Sequence, residues 1–176
     1  MKNTAVNTLT YTGIVTISQY IGAKKVKIAQ KYNTGGTTLF DFLSDCLCGD
    51  WTLAKAKRPT KIKVLEWSQD GQNRDYKSIS GFIFLRNPPE KVEDQEQPNQ
   101  SRVRYSFLIP RDMFENISGT RGLGLGLYAS GALETEPGNF SAFCELDELG
   151  QNLTSLSNSS LVVDWELVIA NKPAGT

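Results

Sequence analysis

The sequence predicts a mainly β protein: a β-sandwich or jelly-roll-like arrangement of about eight strands with one short α-helix. Three observations predict it. Apolar and polar residues alternate with a period of two in most of the chain. Clusters of Gly, Asn, Ser and Pro punctuate those segments at short spacing. Helical spacing occurs in one stretch alone. With 176 residues the chain reads as one domain, residues 1–176, since a chain of this size buries roughly 70% of its unfolded surface.

The elements follow in order. Thr8 to Ile17 is rich in β-branched residues and alternates, a strand. Lys24 to Tyr32 is a second, partly basic strand, with the Lys25-Val26-Lys27-Ile28 alternation marking its wet face, and Asn33-Thr34-Gly35-Gly36 is a turn. Leu39, Phe40, Leu43, Cys46 and Leu47 then fall at helical spacing, predicting a helix over roughly 38–48, with Thr37 or Thr38 as N-cap and Gly49 as its stop. Its broad apolar face (Leu39, Phe40, Phe42, Leu43, Leu47) is expected to pack on a sheet or plug the end of the sandwich, with Cys46 a core thiol. Thr60 to Trp67 alternates Ile62 and Val64 against Lys61 and Lys63 and ends in the turn Gln69-Asp70-Gly71-Gln72-Asn73. Ser78 to Arg86 is apolar almost throughout, predicting a strand buried on both sides, and residues 87–101, rich in proline and acids, predict an exposed loop. Four strands complete the pattern. Arg102 to Ile109 sets Val103, Tyr105, Phe107 and Ile109 on one face, and Gly122 to Tyr128 alternates glycine with larger residues. Phe140 to Leu146 sets Ala142, Cys144 and Leu146 together; Ser160 to Ala170 turns Leu161, Val163, Trp165, Leu167 and Ile169 inward and Asp164 and Glu166 outward.

Composition narrows the chemistry. Nineteen basic and nineteen acidic side chains give a formal charge of zero, where nucleic-acid binders carry a basic excess to replace phosphate counterions. No nucleic-acid partner is expected. The polar start of the sequence predicts no signal peptide, and no apolar run approaches the roughly 18 residues of a membrane-spanning helix, so no membrane partner is expected either. There is no histidine, which removes the usual general base and the commonest metal ligand. Cys46, Cys48 and Cys144 are odd in number and lack zinc or redox spacing. No catalytic, cofactor-binding or metal-binding residue is expected. A carboxylate-only hydrolase would need two converging acids. Asp164 and Glu166 share a strand face roughly 7 Å apart, and Glu145, Asp147 and Glu148 form a second acidic group, but alternating acids on a strand mark a solvated or interface face.

Surface features are better candidates for function. Gly122, Gly124 and Gly126 leave one strand face as bare backbone, open to close approach by a bulky neighbour in the sheet or by a partner subunit. Asp164 and Glu166 would meet basic groups of a partner or a neighbouring copy. Among the tryptophans, Trp165 reads as core, Trp51 as half-buried, and Trp67, at a strand end, as the one candidate for stacking on a sugar.

Three segments together resemble small β-sandwich structural proteins of tailed bacteriophages. They are the glycine turn and helix from Asn33 to Leu43 running through Cys46-Leu47-Cys48-Gly49-Asp50 to Arg58–Ile62, the pair Arg102–Pro110 and Gly124-Leu125-Gly126-Leu127-Tyr128, and the closing run Ser159–Asn171 with its Val-x-Trp-x-Leu-x-Ile pattern. The polar residue that usually precedes the final Gly-Leu-Tyr is replaced here by Gly-Leu-Gly-Leu. The resemblance implies a non-enzymatic virion component (head decoration, collar or tail), made in the bacterial host cytoplasm. Its partners would be other virion proteins and copies of itself in a homo-oligomer. Two alternatives stand beside it: a carbohydrate- or receptor-binding module, and a phage-encoded inhibitor of a host protein.

Overall fold

The computed structural model describes residues 8–93, 100–114, 120–146 and 160–172. Long β-branched runs make its framework. β1 (Thr8–Ile21) lies between β2 (Lys24–Gly35) and β10 (Leu161–Lys172), and β10 pairs in turn with β7 (Gln100–Ile109). β6 (Glu90–Val92) completes this first sheet against β7. The second sheet contains β3 (Pro59–Asp70), β4 (Asn73–Ser78), β8 (Gly122–Ala129) and β9 (Ala142–Glu145), with the short β5 (Ile83–Phe84) alongside β3. Hydrogen bonding runs in the order β4-β3-β8-β9-β2-β1-β10-β7-β6, antiparallel throughout. The sandwich-like fold expected from the alternation is present, with ten strands among the described residues rather than about eight.

The two sheets are joined on both sides. The end of β2 crosses between them, where Thr34 and Gly35 pair with Phe143 and Ala142. On the other side the segment after β4 bonds first to β3 and then to β7: Ile79 N–H to Val64 O (3.1 Å), Leu85 N–H to Thr60 O (3.0 Å), Arg86 N–H to Ser106 O (3.3 Å). Between them lies the core, in which Trp165, Phe107, Ile17, Ile62, Leu125 and Leu127 are fully buried. Trp165 stands opposite Val15 of β1 and Tyr105 of β7, so the largest core side chain is held by both neighbouring strands. The β1–β2 register shifts between Ile17 and Ser18, where Ile28 of β2 is the extra, unpaired residue, and Ile17 and Ser18 are both buried.

Four expectations are corrected. The segment 78–86 is not a doubly buried strand: after Ser78, the last residue of β4, it bends, only Ile83 and Phe84 return to a strand, and Phe84 is exposed. Its Phe82 turns instead toward an aromatic cluster described below. The stretch 87–101 is not all loop, since β6 and the start of β7 fall within it; residues 94–99 lie outside the described residues. The helix α1 (Thr37–Cys48) is followed by a second, α2 (Trp51–Lys57). Gly36, not a threonine, is the N-cap of α1; its N–H donates to Ser141 O at 2.7 Å, and a Cβ there would stand 2.6 Å from Phe140 O. That approach to backbone explains why glycine occupies the position. Gly49 ends the helix as expected, with φ 76° in the left-handed region.

Candidate functional site

The glycine face of β8 is filled from within the chain. A Cβ on Gly124 would lie 2.4 Å from Cζ of Phe143, and one on Gly126 would lie 2.7 Å from Cε2 of Tyr128. Of the two occupants expected for Gly124 and Gly126, a bulky neighbour within the chain lies over each. Gly122, half-buried at the start of the strand, pairs with Trp67. Phe143 stacks on Phe140 with centroids 5.1 Å apart, while Tyr76 meets both rings edge-on. Trp67 is half-buried beside this cluster, and the Arg74 guanidinium lies 4.8 Å from its ring. Arg74 therefore covers one face of the ring that was the candidate for sugar stacking.

Two lysines lie beneath the same aromatic layer. Lys61 donates to Ala132 O at 2.8 Å and sits 3.9 Å from the Phe82 centroid. Lys63, completely buried, donates to Ser78 Oγ at 3.3 Å and Glu134 O at 2.9 Å, and pairs with the Glu134 carboxylate at 2.6 Å. The strand alternation made these side chains the polar face of β3, and the 131–141 segment covers that face. Burial lowers the Lys61 ammonium from its ordinary value. The hydrogen bond from Lys63, followed by the Phe82 N–H, holds Glu134 below the usual carboxylate range.

A folded-state carboxyl held low contributes stability that is complete above its unfolded value near 4.3 and is lost as pH falls through its folded value. Glu134→Ala leaves a buried ammonium without its counter-charge. Glu134 itself is 59% exposed, so water reaches the site and the cost falls below the 3–5 kcal/mol of a fully buried pair, to about 1–2 kcal/mol. Urea titrations at neutral pH read this loss directly. Repeated below pH 4.3, they should show wild type and variant converging; a constant gap would remove the ion pair from the explanation.

Asp164 and Glu166 lie on the face of β10 opposite Trp165, but Asp164 is buried and Glu166 half-buried, because partners within the chain engage both. Asp164 accepts from Lys25 Nζ at 2.6 Å and from Ser106 Oγ at 2.7 Å. Glu166 accepts from Arg104 Nε at 2.9 Å and Nη2 at 2.7 Å, with Arg102 4.0 Å away. They tie β10 to β7 and β2 rather than standing free for an outside cation. Of the second acidic group, Glu145 pairs with Arg74 at 2.6 Å, while Asp147 and Glu148 lie outside the described residues.

The α1–α2 hairpin is the most exposed apolar feature. Leu39 anchors it in the core, and the Asp45–Lys57 pair at 2.9 Å ties the two helices together. Asp50 caps α2 by accepting from Leu53 N–H at 3.1 Å, and Ser130 and Gly131 N–H groups bond its last turn. The predicted packing face is only partly used. Phe40 is 55% exposed, Leu47 82%, Trp51 69% and Leu53 50%. Phe42 and Cys46, half-buried, form with Trp51, Ala54, Lys55 and Arg58 the walls of a depression of about 250 Å³. Cys46 is thus a groove thiol rather than a core one, Cys48 is exposed, and Cys144 is buried with its thiol pushed up to about 12 by burial.

Comparisons with protein-family models, with curated proteins and with solved structures find no match to this chain.

Proposed function

We propose that the chain is a non-enzymatic structural component of a tailed-bacteriophage particle, acting through protein–protein assembly with the α1–α2 hairpin as its docking surface. The single observation that carries the assembly reading is the exposure of Phe40, Leu47, Trp51 and Leu53 on one hairpin. Large apolar side chains gathered this way mark protein contacts on otherwise polar surfaces. The phage setting is supported by the sequence resemblance alone.

A second copy fits this surface by charge. Asp41 is exposed on α1 and Lys55 and Arg58 are exposed on or just after α2, while Asp45 and Lys57 already pair with each other and Asp50 caps α2. An isologous contact sets each patch against its counterpart across a two-fold axis. It can therefore place Asp41 of one copy beside Lys55 and Arg58 of the other, with the apolar side chains between.

Size-exclusion chromatography with light scattering across a concentration series tests the reading. Wild type should self-associate, and Leu47→Asp/Trp51→Asp should run as a folded monomer with an unchanged circular-dichroism spectrum. A wild type that stays monomeric throughout would refute self-assembly through the hairpin. Absence of the chain from purified virions would refute the particle assignment separately.

A further inference from the structure

On the outer face of the first sheet, away from the hairpin, a cavity of about 170 Å³ opens beside the Lys25–Asp164 pair. Its polar lining comes from separate parts of the chain: Tyr20 and Lys25 flank the β1–β2 turn, Arg86 and Asn87 follow β5, and Ser106 and Asp164 lie on paired strands. We propose that this cavity binds a single carboxylated sugar ring, a uronic acid unit.

Size sets the first limit. The volume falls below the roughly 300–1,000 Å³ of sites for drug-sized ligands, leaving room for one ring and its substituents. Hydrogen-bonding capacity sets the second. An ionised carboxylate offers about four lone-pair sites. Asp164 uses one for Ser106 and one for Lys25, so acceptor capacity remains for ligand hydroxyls. The Asn87 amide adds donors and an acceptor, which suits hydroxyl groups that need both.

Apolar character is also present where a sugar needs it. Tyr20 is 48% exposed at the rim, and Leu108 and Val162 also line the cavity. An aromatic face and short aliphatic groups cover the C–H side of a pyranose while its hydroxyls meet the polar wall.

Charge selects the acidic class. Lys25 is balanced by Asp164 at 2.6 Å. Arg86 lines the same cavity, and its side chain makes no ion pair with a carboxylate among the described residues. The Arg86 N–H donates to Ser106 O at 3.3 Å, which holds the residue beside the cavity, where its charge adds to that of Lys25 against the single carboxylate of Asp164. A ring carrying one carboxylate neutralises the surplus, and guanidinium geometry suits a two-point contact with that group.

Titration of the isotope-labelled protein with sodium glucuronate, glucose and sodium acetate, followed by amide NMR shifts, tests this. Glucuronate should give saturable shifts around Arg86, Ser106 and Asp164 with a dissociation constant on the order of 1 mM, an affinity fitting a few hydrogen bonds and one ring. Glucose should bind about tenfold more weakly, as expected when one charge-assisted contact is missing. Arg86→Gln should reduce glucuronate affinity by a similar factor, and Tyr20→Ala should also weaken it; both side chains sit at the exposed rim, so the fold is retained. Three results would overturn the proposal: no saturable shift with glucuronate, equal affinity for acetate (a simple anion site), or equal affinity for glucose. Binding that survives both substitutions would also overturn it. None of these outcomes depends on the oligomeric state.

Discussion

Trp165→Ala should lower stability by about 3–5 kcal/mol, the cost of truncating a large aromatic side chain in a packed core. Trp165 is completely buried, stands on a strand paired on both sides, and faces Val15 and Tyr105 across those pairings. Collapse into the vacated space would require β1 and β7 to move toward each other while β10 remains hydrogen-bonded to both. In a chain of this size the loss corresponds to a melting temperature lower by about 6–20 °C. Trp165→Phe provides the control. The indole N–H finds no acceptor among the described residues, so phenylalanine loses volume but also removes a buried donor that carries its own penalty. Thermal melts should place Trp165→Phe much closer to wild type than to Trp165→Ala. Similar losses for the two variants would mean that the whole indole, and not the bulk of its ring, is what the core requires.

Gly124→Ala should destabilise by about 2–3 kcal/mol, at the upper part of the range for overpacking a filled site. In a strand interior with free space, glycine to alanine would instead stabilise by roughly 0.5–1 kcal/mol. The sign is decided by Phe143, whose Cζ and Cε2 would stand 2.4 and 2.6 Å from the added carbon. That ring is buried and stacked on Phe140, with Tyr76 against its edge, so it cannot turn aside without disturbing two other rings. A double-mutant cycle isolates the effect. Phe143→Leu costs packing by itself, but should recover part of the Gly124→Ala loss, giving a coupling well beyond the roughly 0.3–0.5 kcal/mol scatter of independent sites. Strict additivity would show that the ring is not what excludes a side chain at this position.

The framework was legible where burial follows local pattern. The inward set of β10, from Leu161 to Leu167, and that of β7, from Tyr105 to Ile109, can be read from alternation alone because each strand has one face on the core. Three features depended on contacts that local pattern does not carry. Lys61 and Lys63 read as an ordinary polar face, yet a segment some seventy residues later covers them. Ile79, Phe82, Ile83 and Phe84 suggested a doubly buried strand, but apolar content does not distinguish a strand from a bent segment that divides its side chains between two clusters. α2 is only seven residues long, too short to show a helical stripe, and Asp50 as its cap followed by Lys55 and Lys57 was the available signal.

The candidate sites were less legible still. The glycine pattern of β8 correctly indicated close approach, but not that Phe143 and Tyr128 supply it. Asp164 and Glu166 were correctly placed on the face opposite Trp165, while their engagement by Lys25, Ser106 and Arg104 depends on which strands become neighbours. Hydrophobic spacing located α1, but the same spacing describes a buried stripe and an exposed one. Only the position of the hairpin relative to the sheets separates Leu39 in the core from Leu47 at 82% exposure.

The pairing of β1 with β10 also sets a timetable for synthesis. Thr8 is registered with Lys172 and Gln19 with Leu161, so β1 waits for a strand made more than a hundred residues later. At about 5–20 residues per second, that interval is on the order of 10–30 s. Until it ends, one edge of β1 has no native partner, and the nascent chain displays a β-branched ribbon open to pairing with other chains. The hairpin of β1 with β2 can form early from local contacts, whereas closure of the first sheet is a late, long-range event of the kind that slows folding. Premature termination before β10 would therefore leave an unsatisfied sheet, prone to aggregation, rather than a smaller version of the same protein.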